Sequence, residues 1–313
     1  MRIQRTFRIL EQLSQHPAGC TLTELASGMD VPMSATHRLL TELVECGYVE
    51  RDPRHGDCRL TMQLVSIGLK FLSSSGIPDI AQPVLDHLAR QSGELVRLAV
   101  VDRDALVFVA KAQGASQGLR YEPAMGRSIT LSCSAAGFAW LATMADDEAL
   151  ERVARQGFGA PRDHGPLAPT DATSLLAHLE RTRKRGYGIT VDVFQPAMSS
   201  MAAVVTGHDG EVGAVLIVAG PAVRLTRQRM VALGPTLLGA AETLSRASGV
   251  SPMFRPRSPS GTSTDVHVAD AAVRTAAIGC TPPPARRVRP ATTTAATGRT
   301  RPRPPIPTPI GDP

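Results

Sequence analysis

Between residues 21 and 60 the apolar pattern changes period in an order that few folds accommodate. Leu22, Leu25, Ala26 and Met29 recur at helical spacing in a short segment, Thr21 to Gly28. A four-residue turn, Met29-Asp-Val-Pro32, leads into a longer helical segment that runs to Cys46 and stops at Gly47. Pro32 is tolerated in its first turn. Tyr48 to Asp52 and Asp57 to Leu60 read as short strands around the turn Pro53-Arg-His-Gly56. A short helix, a tight turn, a longer helix and a hairpin predict a winged helix-turn-helix. Upstream, Ile3, Phe7 and Leu10 give a first helix one apolar face, broken at His16-Pro-Ala-Gly19.

The longer helix carries two stripes. Leu39, Leu40, Leu43 and Val44 form an apolar one, which must be buried against its own domain. Ser34, His37, Arg38 and Thr41 form a polar one, which is left facing outward. An outward stripe of hydrogen-bonding groups in the first turns is what a recognition helix brings to the major groove. Arg38 suits guanine or a phosphate, and Ser34 and Thr36 suit base edges or phosphates. Glu42 and Glu45 would repel phosphates, so they should lie near the groove exit, facing away. At the hairpin, Arg54 and Arg59 are candidate phosphate contacts. His55 fits a backbone contact and a solvated turn equally well. Any amphipathic surface helix has a polar stripe, so the order of elements, rather than the stripe, carries the argument.

The net charge of +6 does not. From Ser251 to Pro313 there are nine Arg, no Lys and three Asp, so this tail alone accounts for the excess and residues 1–250 are neutral. So few basic groups in one DNA-binding domain would bind weakly, and a dimer on a palindromic site is the natural remedy. The sequence divides into a winged domain at 1–60, a linker helix at 61–76, a second domain at 77–248 and a tail at 249–313. The second domain alternates helical and strand patterns. Strands are predicted at Leu95–Val101, Ala105–Ala110, Leu119–Pro123, Gly188–Asp192, Met201–Thr206 and Glu211–Ala219. Helices are predicted at Ile77–Gln91, Ser134–Thr143, Asp146–Arg155, Asp171–Arg185 and Thr226–Ala247. The class is α+β, with a mixed, largely antiparallel sheet flanked by helices. The Pro-, Thr-, Ala- and Arg-rich tail has too few large apolar residues to offset its ordering entropy and is expected to be disordered. It would add sequence-independent DNA affinity or serve as a passive extension.

Other classes find little support. Five scattered cysteines with no C-x-x-C and no clustered His argue against zinc, and no cofactor or metal is expected. Residues 1–16 lack a signal-peptide core, and Val212 to Val223 is too short to span a bilayer, so a cytoplasmic protein with no membrane partner is expected. An enzyme is the main rival, but there is no G-x-S-x-G elbow, phosphate loop or metal-ligand spacing. Cys133 near a helix start reads as a nucleophile only with a His partner, which the sequence does not identify. An interaction module that has lost DNA binding is the other alternative.

The chain resembles the IclR-type transcriptional regulators. The matching stretches are Arg5-Thr-Phe-Arg-Ile-Leu-Glu-Gln-Leu13, Leu22-Thr-Glu-Leu-Ala26, Ser34-Ala-Thr-His-Arg-Leu-Leu40 and Gly47-Tyr-Val49. They continue with Gly126-Arg-Ser-Ile-Thr-Leu131, Arg185-Gly-Tyr187, Met201-Ala-Ala-Val204 and Gly220-Pro-Ala-Val-Arg-Leu-Thr226. The resemblance implies a winged DNA-binding domain, homodimers or dimers of dimers, a GAF-like second domain with a small-molecule pocket, and repression as the family-level expectation.

It also implies that the pocket is lined by Thr130 to Gly137 and by Asp192 to Ser200. The physical logic stands beside the resemblance. A helix start at Ser132 to Ala135 offers free N–H groups, and Ser132 and Ser134 add hydroxyls, which together suit a carboxylate. Ser199 and Ser200 would supply opposing donors, so the candidate effector residues are Ser132, Cys133, Ser134, Asp192, Ser199 and Ser200. Ordinary capping and loop solvation is the alternative. The chain departs from the family where Ser132 replaces a frequent His, Phe138 a frequent Lys, Ala197 a Gly and Ser200 a Cys. The acidic run is reduced to Asp192 between Val191 and Val193, and Met33 replaces a basic residue. The expected pocket is more apolar and less ionic than the family's, and the ligand does not transfer.

Overall fold

A computed structural model describes residues 2–29, 31–121, 129–158, 164–207 and 209–247. The tail at 249–313, and the part of the Gly126–Leu131 motif before Ile129, lie outside the described residues.

The N-terminal region contains α1 (Arg2–Gln15), α2 (Leu22–Met29), α3 (Met33–Glu45), β1 (Val49–Arg51) and β2 (Cys58–Leu60). Its core is Ile9, Leu10, Leu13, Leu25, Met29, Leu39, Leu40, Leu43 and Val49, with Cys20 and Cys58 among them. Helix α3 stops where Cys46 caps it and Gly47 takes a φ of 78°, a left-handed conformation that a glycine adopts without steric cost. The hairpin pairs Val49 with Leu60 and Arg51 with Cys58. The Asp52 carboxylate closes the wing tip by accepting from the Arg54 and His55 N–H groups at 2.7 and 3.2 Å. Two expectations fail here. Ile3 and Phe7 are 73% and 60% exposed, because Ile9, Leu10 and Leu13 are the α1 residues that reach the core. Val44 is exposed because it lies past the edge of the Leu39–Leu40–Leu43 stripe.

Helix α4 (Gln63–Ser74) leads into α5 (Ile77–Ser92), β3 (Leu95–Asp102) and β4 (Ala105–Gln113). A 3-10 turn at Leu131–Cys133 precedes α6 (Ala135–Leu141), α7 (Asp146–Gln156) and α8 (Ala172–Arg185). The order ends with β5 (Gly188–Val191), β6 (Met198–Thr206), β7 (Val212–Pro221) and α9 (Arg227–Ala247). The five strands form one antiparallel sheet in the order β4-β3-β7-β6-β5. Strand alternation divides its side chains between two cores. Val96, Leu98, Met201, Ala203, Leu216 and Val218 pack with α5 and α9. Ala99, Val101, Ala202, Val215 and Ile217 pack with α6, α7 and α8. Both faces are therefore covered, which explains why β3 and β7 read as nearly unbroken apolar runs.

Local caps agree with the sequence. Asp171 and Ser174 form a capping box at α8, and the Thr226 hydroxyl accepts from Arg229 N at 3.2 Å at the start of α9. The strand expected at Leu119–Pro123 is not formed by its described residues, 119–121. Leu119 is exposed and its carbonyl accepts from Arg224 Nη1 at 2.7 Å instead of entering a ladder. Strand β6 begins at Met198, three residues before the expected start, because Met198 to Ser200 pair with Pro221 to Ala219.

Candidate nucleic-acid interface and effector site

Helix α3 presents Ser34, His37, Arg38 and Thr41 as exposed residues on one face, while Leu39, Leu40 and Leu43 are buried on the other. The Thr41 hydroxyl donates to the His37 carbonyl at 3.0 Å, which leaves its lone pairs available to a donor. Thr36 requires a correction. It is fully buried, with its hydroxyl 3.3 Å from the Pro32 carbonyl, so it cannot meet a base edge or a phosphate. Its position three residues before Leu39 and four before Leu40 places it on the core face. Glu42 is held by Arg2 of α1, so part of its charge is neutralised beside the polar stripe.

On the wing, Arg54 and His55 are exposed at the tip. Arg59 is exposed too, but its Nε lies 2.6 Å from Glu50 Oε1 across the hairpin, so it approaches a phosphate only by sharing or leaving that partner.

In the second domain three segments converge beside the α6–α8 face of the sheet: the 3-10 turn, residues 164–168 and the β5–β6 loop. Gly165 N donates to Val193 O at 2.9 Å and Leu167 N to Asp192 O at 3.0 Å. The close approach needs a glycine, since a Cβ at residue 165 would collide with the Asp192 carbonyl. His164 is thereby brought to Cys133, with Nδ1 3.4 Å from Sγ. The sequence offered no partner for Cys133 because the two are 31 residues apart and only the fold joins them. Burial pushes the Cys133 thiol up to about 12, so it stands here as a neutral S–H beside the imidazole.

The expected hydroxyl cradle is largely used internally. The Ser134 hydroxyl caps α6, accepting from Gly137 N at 3.0 Å and donating to Thr130 O at 2.7 Å. Ser132 is fully buried and donates to Phe158 O at 3.3 Å. Asp192 has a φ of 54°, and its carboxylate closes its own loop by accepting from Ala197 N at 2.6 Å. Ser199 and Ser200 are neighbours on β6 and so face opposite ways. Ser200 shares the α6–α8 face with Ala202 and meets Thr190 hydroxyl to hydroxyl at 2.6 Å. Ser199 lies on the α5–α9 side with Met201 and cannot oppose Ser132 across one pocket. Two polar residues on the α6–α8 face, Thr190 and Arg97, were not singled out from the sequence. Arg97 is 4% exposed, its guanidinium lies 3.0 Å from the Phe108 ring centroid, and burial lowers its pKa to about 10.

Residues 3–53 match the family model described as the IclR helix-turn-helix domain, and residues 69–246 match the model for the bacterial transcriptional regulator IclR C-terminal domain. The chain is 28% identical over 248 residues to the transcriptional repressor IclR of Escherichia coli, covering 79% of this chain and 89% of that protein. It is 26% identical over 250 residues to the transcriptional repressor AllR of Salmonella typhi, covering 80% and 90%. Among solved structures it is similar to an IclR transcriptional regulator from Alicyclobacillus acidocaldarius (TM-score 0.69, 24% identity, 79% and 98% covered). It is also similar to an IclR homologue from Microbacterium hydrocarbonoxydans complexed with 4-hydroxybenzoate (TM-score 0.65, 22% identity, 79% and 100% covered). A helix-turn-helix matched over residues 3–53, followed by an antiparallel sheet domain matched over 69–246, makes this chain a member of the IclR family of bacterial DNA-binding transcriptional regulators.

Proposed function

We propose that this regulator is a cytoplasmic repressor, without catalytic activity, that holds a palindromic operator as a homodimer or dimer of dimers and responds to a small organic effector. The observation that carries the DNA-binding half is the exposed face of α3, where Ser34, His37, Arg38 and Thr41 stand clear of a fully buried opposite face. Arg38 is assigned to a base or phosphate, and Arg54 and Arg59 to phosphates beside the groove. Repression rests on the relatives named repressors. The absence, among the described residues, of any helix long and apolar enough to cross a membrane is compatible with a cytoplasmic protein.

Dimerisation is supported by α4, none of whose residues is buried although it carries Val65, Ile67 and Leu69. A helix with so much exposed apolar surface is in want of a partner, and a second copy of a symmetric regulator provides one. The division into a winged domain at 1–60, a linker at 61–76 and an effector domain at 77–248 follows the same reading. The effector site is assigned to the α6–α8 side of the sheet where the 3-10 turn, residues 164–168 and the β5–β6 loop converge, beside Cys133, His164, Asp192, Ser200 and Thr190. An organic ligand with an aromatic or aliphatic body and one or two polar groups suits these walls better than a small dianion, because the Ser132 and Ser134 hydroxyls already have partners. The ligand of the Microbacterium homologue, 4-hydroxybenzoate, belongs to that chemical class.

Footprinting on DNA selected from a genomic library tests the reading. A two-fold symmetric, salt-sensitive protected site supports it. Absence of protection at low salt on every selected fragment would shift the assignment to a protein-interaction module.

A further inference from the structure

Cys20 and Cys58 face each other across an isolated antiparallel bridge between the α1–α2 loop and the wing. Each backbone serves the other: Cys20 N donates to Cys58 O at 2.9 Å, and Cys58 N donates to Cys20 O at 2.8 Å. Residues exchanging both hydrogen bonds lie with Cα atoms about 5.5 Å apart. Their side chains leave on the same face, and both sulfurs sit in the winged domain's core beside Leu13, Leu25 and Val49. A Cα separation of about 5.5 Å falls within the range of disulfides, roughly 4.4–6.8 Å. The Cβ atoms do not fit as they stand. They are about 5–5.5 Å apart in a pair of this kind, whereas a disulfide draws them to about 3.8 Å.

Bond formation therefore has to move one backbone segment by on the order of 1 Å. The wing is the segment that can yield, because β2 is three residues long in a two-stranded sheet. The Cys20 side is anchored between α1 and α2, and Gly19 already packs against the Cys58 carbonyl.

We propose that Cys20 and Cys58 are an oxidant-modified pair: peroxide joins them in a reversible disulfide that draws β2 toward the α1–α2 loop, displaces the wing and weakens its hold on DNA. The oxidant is hydrogen peroxide. Cys20 is 5% exposed against 0% for Cys58; its sulfur attacks one peroxide oxygen, the O–O bond breaks, and a sulfenic acid and one water form. The Cys58 sulfur then attacks the Cys20 sulfur, the S–O bond breaks, and the hydroxyl leaves with the Cys58 proton as a second water. Two thiols and one peroxide become one disulfide and two waters. Burial, with Glu24 and Asp57 nearby, keeps Cys20 protonated, so the reaction is slow and favours a small oxidant over a bulky one. Strain in the displaced wing makes the bond easy for a dithiol to reduce.

The disulfide is tested without DNA. The full-length protein is treated with hydrogen peroxide, alkylated under denaturing conditions and digested without reduction. A cross-linked peptide pair containing Cys20 and Cys58, lost on dithiothreitol treatment, is the expected result. Both cysteines recovered as free thiols or as sulfonic acids, or bonded only to other cysteines, would overturn the proposal. The effect on the wing rests on the DNA-binding reading and is measured on a duplex carrying the selected site. Oxidation should reduce retention several-fold, dithiothreitol should restore it, and Cys20→Ala or Cys58→Ser should abolish the response while leaving reduced-state retention intact. A mapped Cys20–Cys58 disulfide that leaves retention unchanged overturns the coupling to the wing.

Discussion

Arg224 grips Glu94 with two parallel hydrogen bonds, Nε to Oε1 at 2.8 Å and Nη2 to Oε2 at 2.7 Å. Glu94 is 1% exposed, one residue before β3, and Arg224 lies in the turn between β7 and α9. Arg229 of α9 adds a second cation 3.7 Å from Oε1 and donates to the Ser92 carbonyl at 2.6 Å. A Cβ at Gly220 would collide with the same carboxylate. One buried acid thus ties the α5–β3 junction to the β7–α9 turn, in a bidentate geometry that suits Arg and not Lys.

Arg224→Ala leaves the buried Glu94 carboxylate with only Arg229, 3.7 Å from Oε1, and should cost up to about 3 kcal/mol, because most of its desolvation penalty then goes uncompensated. Arg224→Lys should recover only part of it. Glu94→Gln on the Arg224→Ala background should be less harmful than the single changes imply, since no charge is then left buried. Urea unfolding of the wild type, Arg224→Ala, Glu94→Gln and the double variant gives the coupling directly, and additive losses would contradict the clamp.

The ring of His178 stacks on Phe138 with centroids 4.7 Å apart. Burial, aided by the positive charges of Arg181, Arg185 and Arg227, lowers its pKa to about 4 from an ordinary 6.5. The folded value lies below the unfolded one, so the unfolded chain takes up the proton first as pH falls. The contribution of neutral His178 is therefore complete above about pH 6.5 and is lost as pH falls toward 4. The urea midpoint should drop across that window, and His178→Phe, which keeps a ring on Phe138, should flatten the drop. An identical pH slope in both proteins would contradict the assignment.

Cysteine labelling should separate the thiols by environment. Cys46 is exposed at the end of α3, while Cys133 is buried with its thiol pushed up to about 12. Among the described cysteines, iodoacetamide at neutral pH should modify Cys46 first and leave Cys133 until the chain unfolds. Rapid labelling of Cys133 in the folded protein would mean that His164 activates the thiol, and would reopen a reactive role for that pair.

The exposed face of α4 should hold two copies together. Leu69→Asp places a charge among apolar side chains at 58% exposure, where it harms an interface and not a monomer core. Sedimentation velocity should show the wild type as a dimer or larger and the variant shifted toward monomer, with little change in thermal stability of the monomeric fold. A monomeric wild type would leave this face without the assigned partner.

The α3 face was legible because helical periodicity separates Leu39, Leu40 and Leu43 from Ser34, His37, Arg38 and Thr41 without any tertiary knowledge. Thr36 was misread because a threonine hydroxyl looks available in sequence, while its core-facing position and its bond to Pro32 O are geometric facts. The strands of the sheet were legible from β-branched runs, but Leu119 was not, since its carbonyl is claimed by an arginine 105 residues away. The proposed effector site was the least legible part. Ser199 and Ser200 look equivalent until strand alternation assigns them to opposite faces. His164 meets Cys133 only through the docking of residues 164–168 on the β5–β6 loop.

The central claim, that the outward face of α3 reads DNA, is tested most directly by the affinity of Arg38→Ala and Thr36→Val for the selected site at fixed salt. Arg38→Ala should weaken binding by about tenfold or more, the loss of one good base or phosphate contact. Thr36→Val, changed on the buried side, should bind within about twofold of the wild type, since it alters no surface that meets the groove. Unchanged binding by a folded Arg38→Ala protein, or loss of binding confined to a folded Thr36→Val protein, would contradict the account.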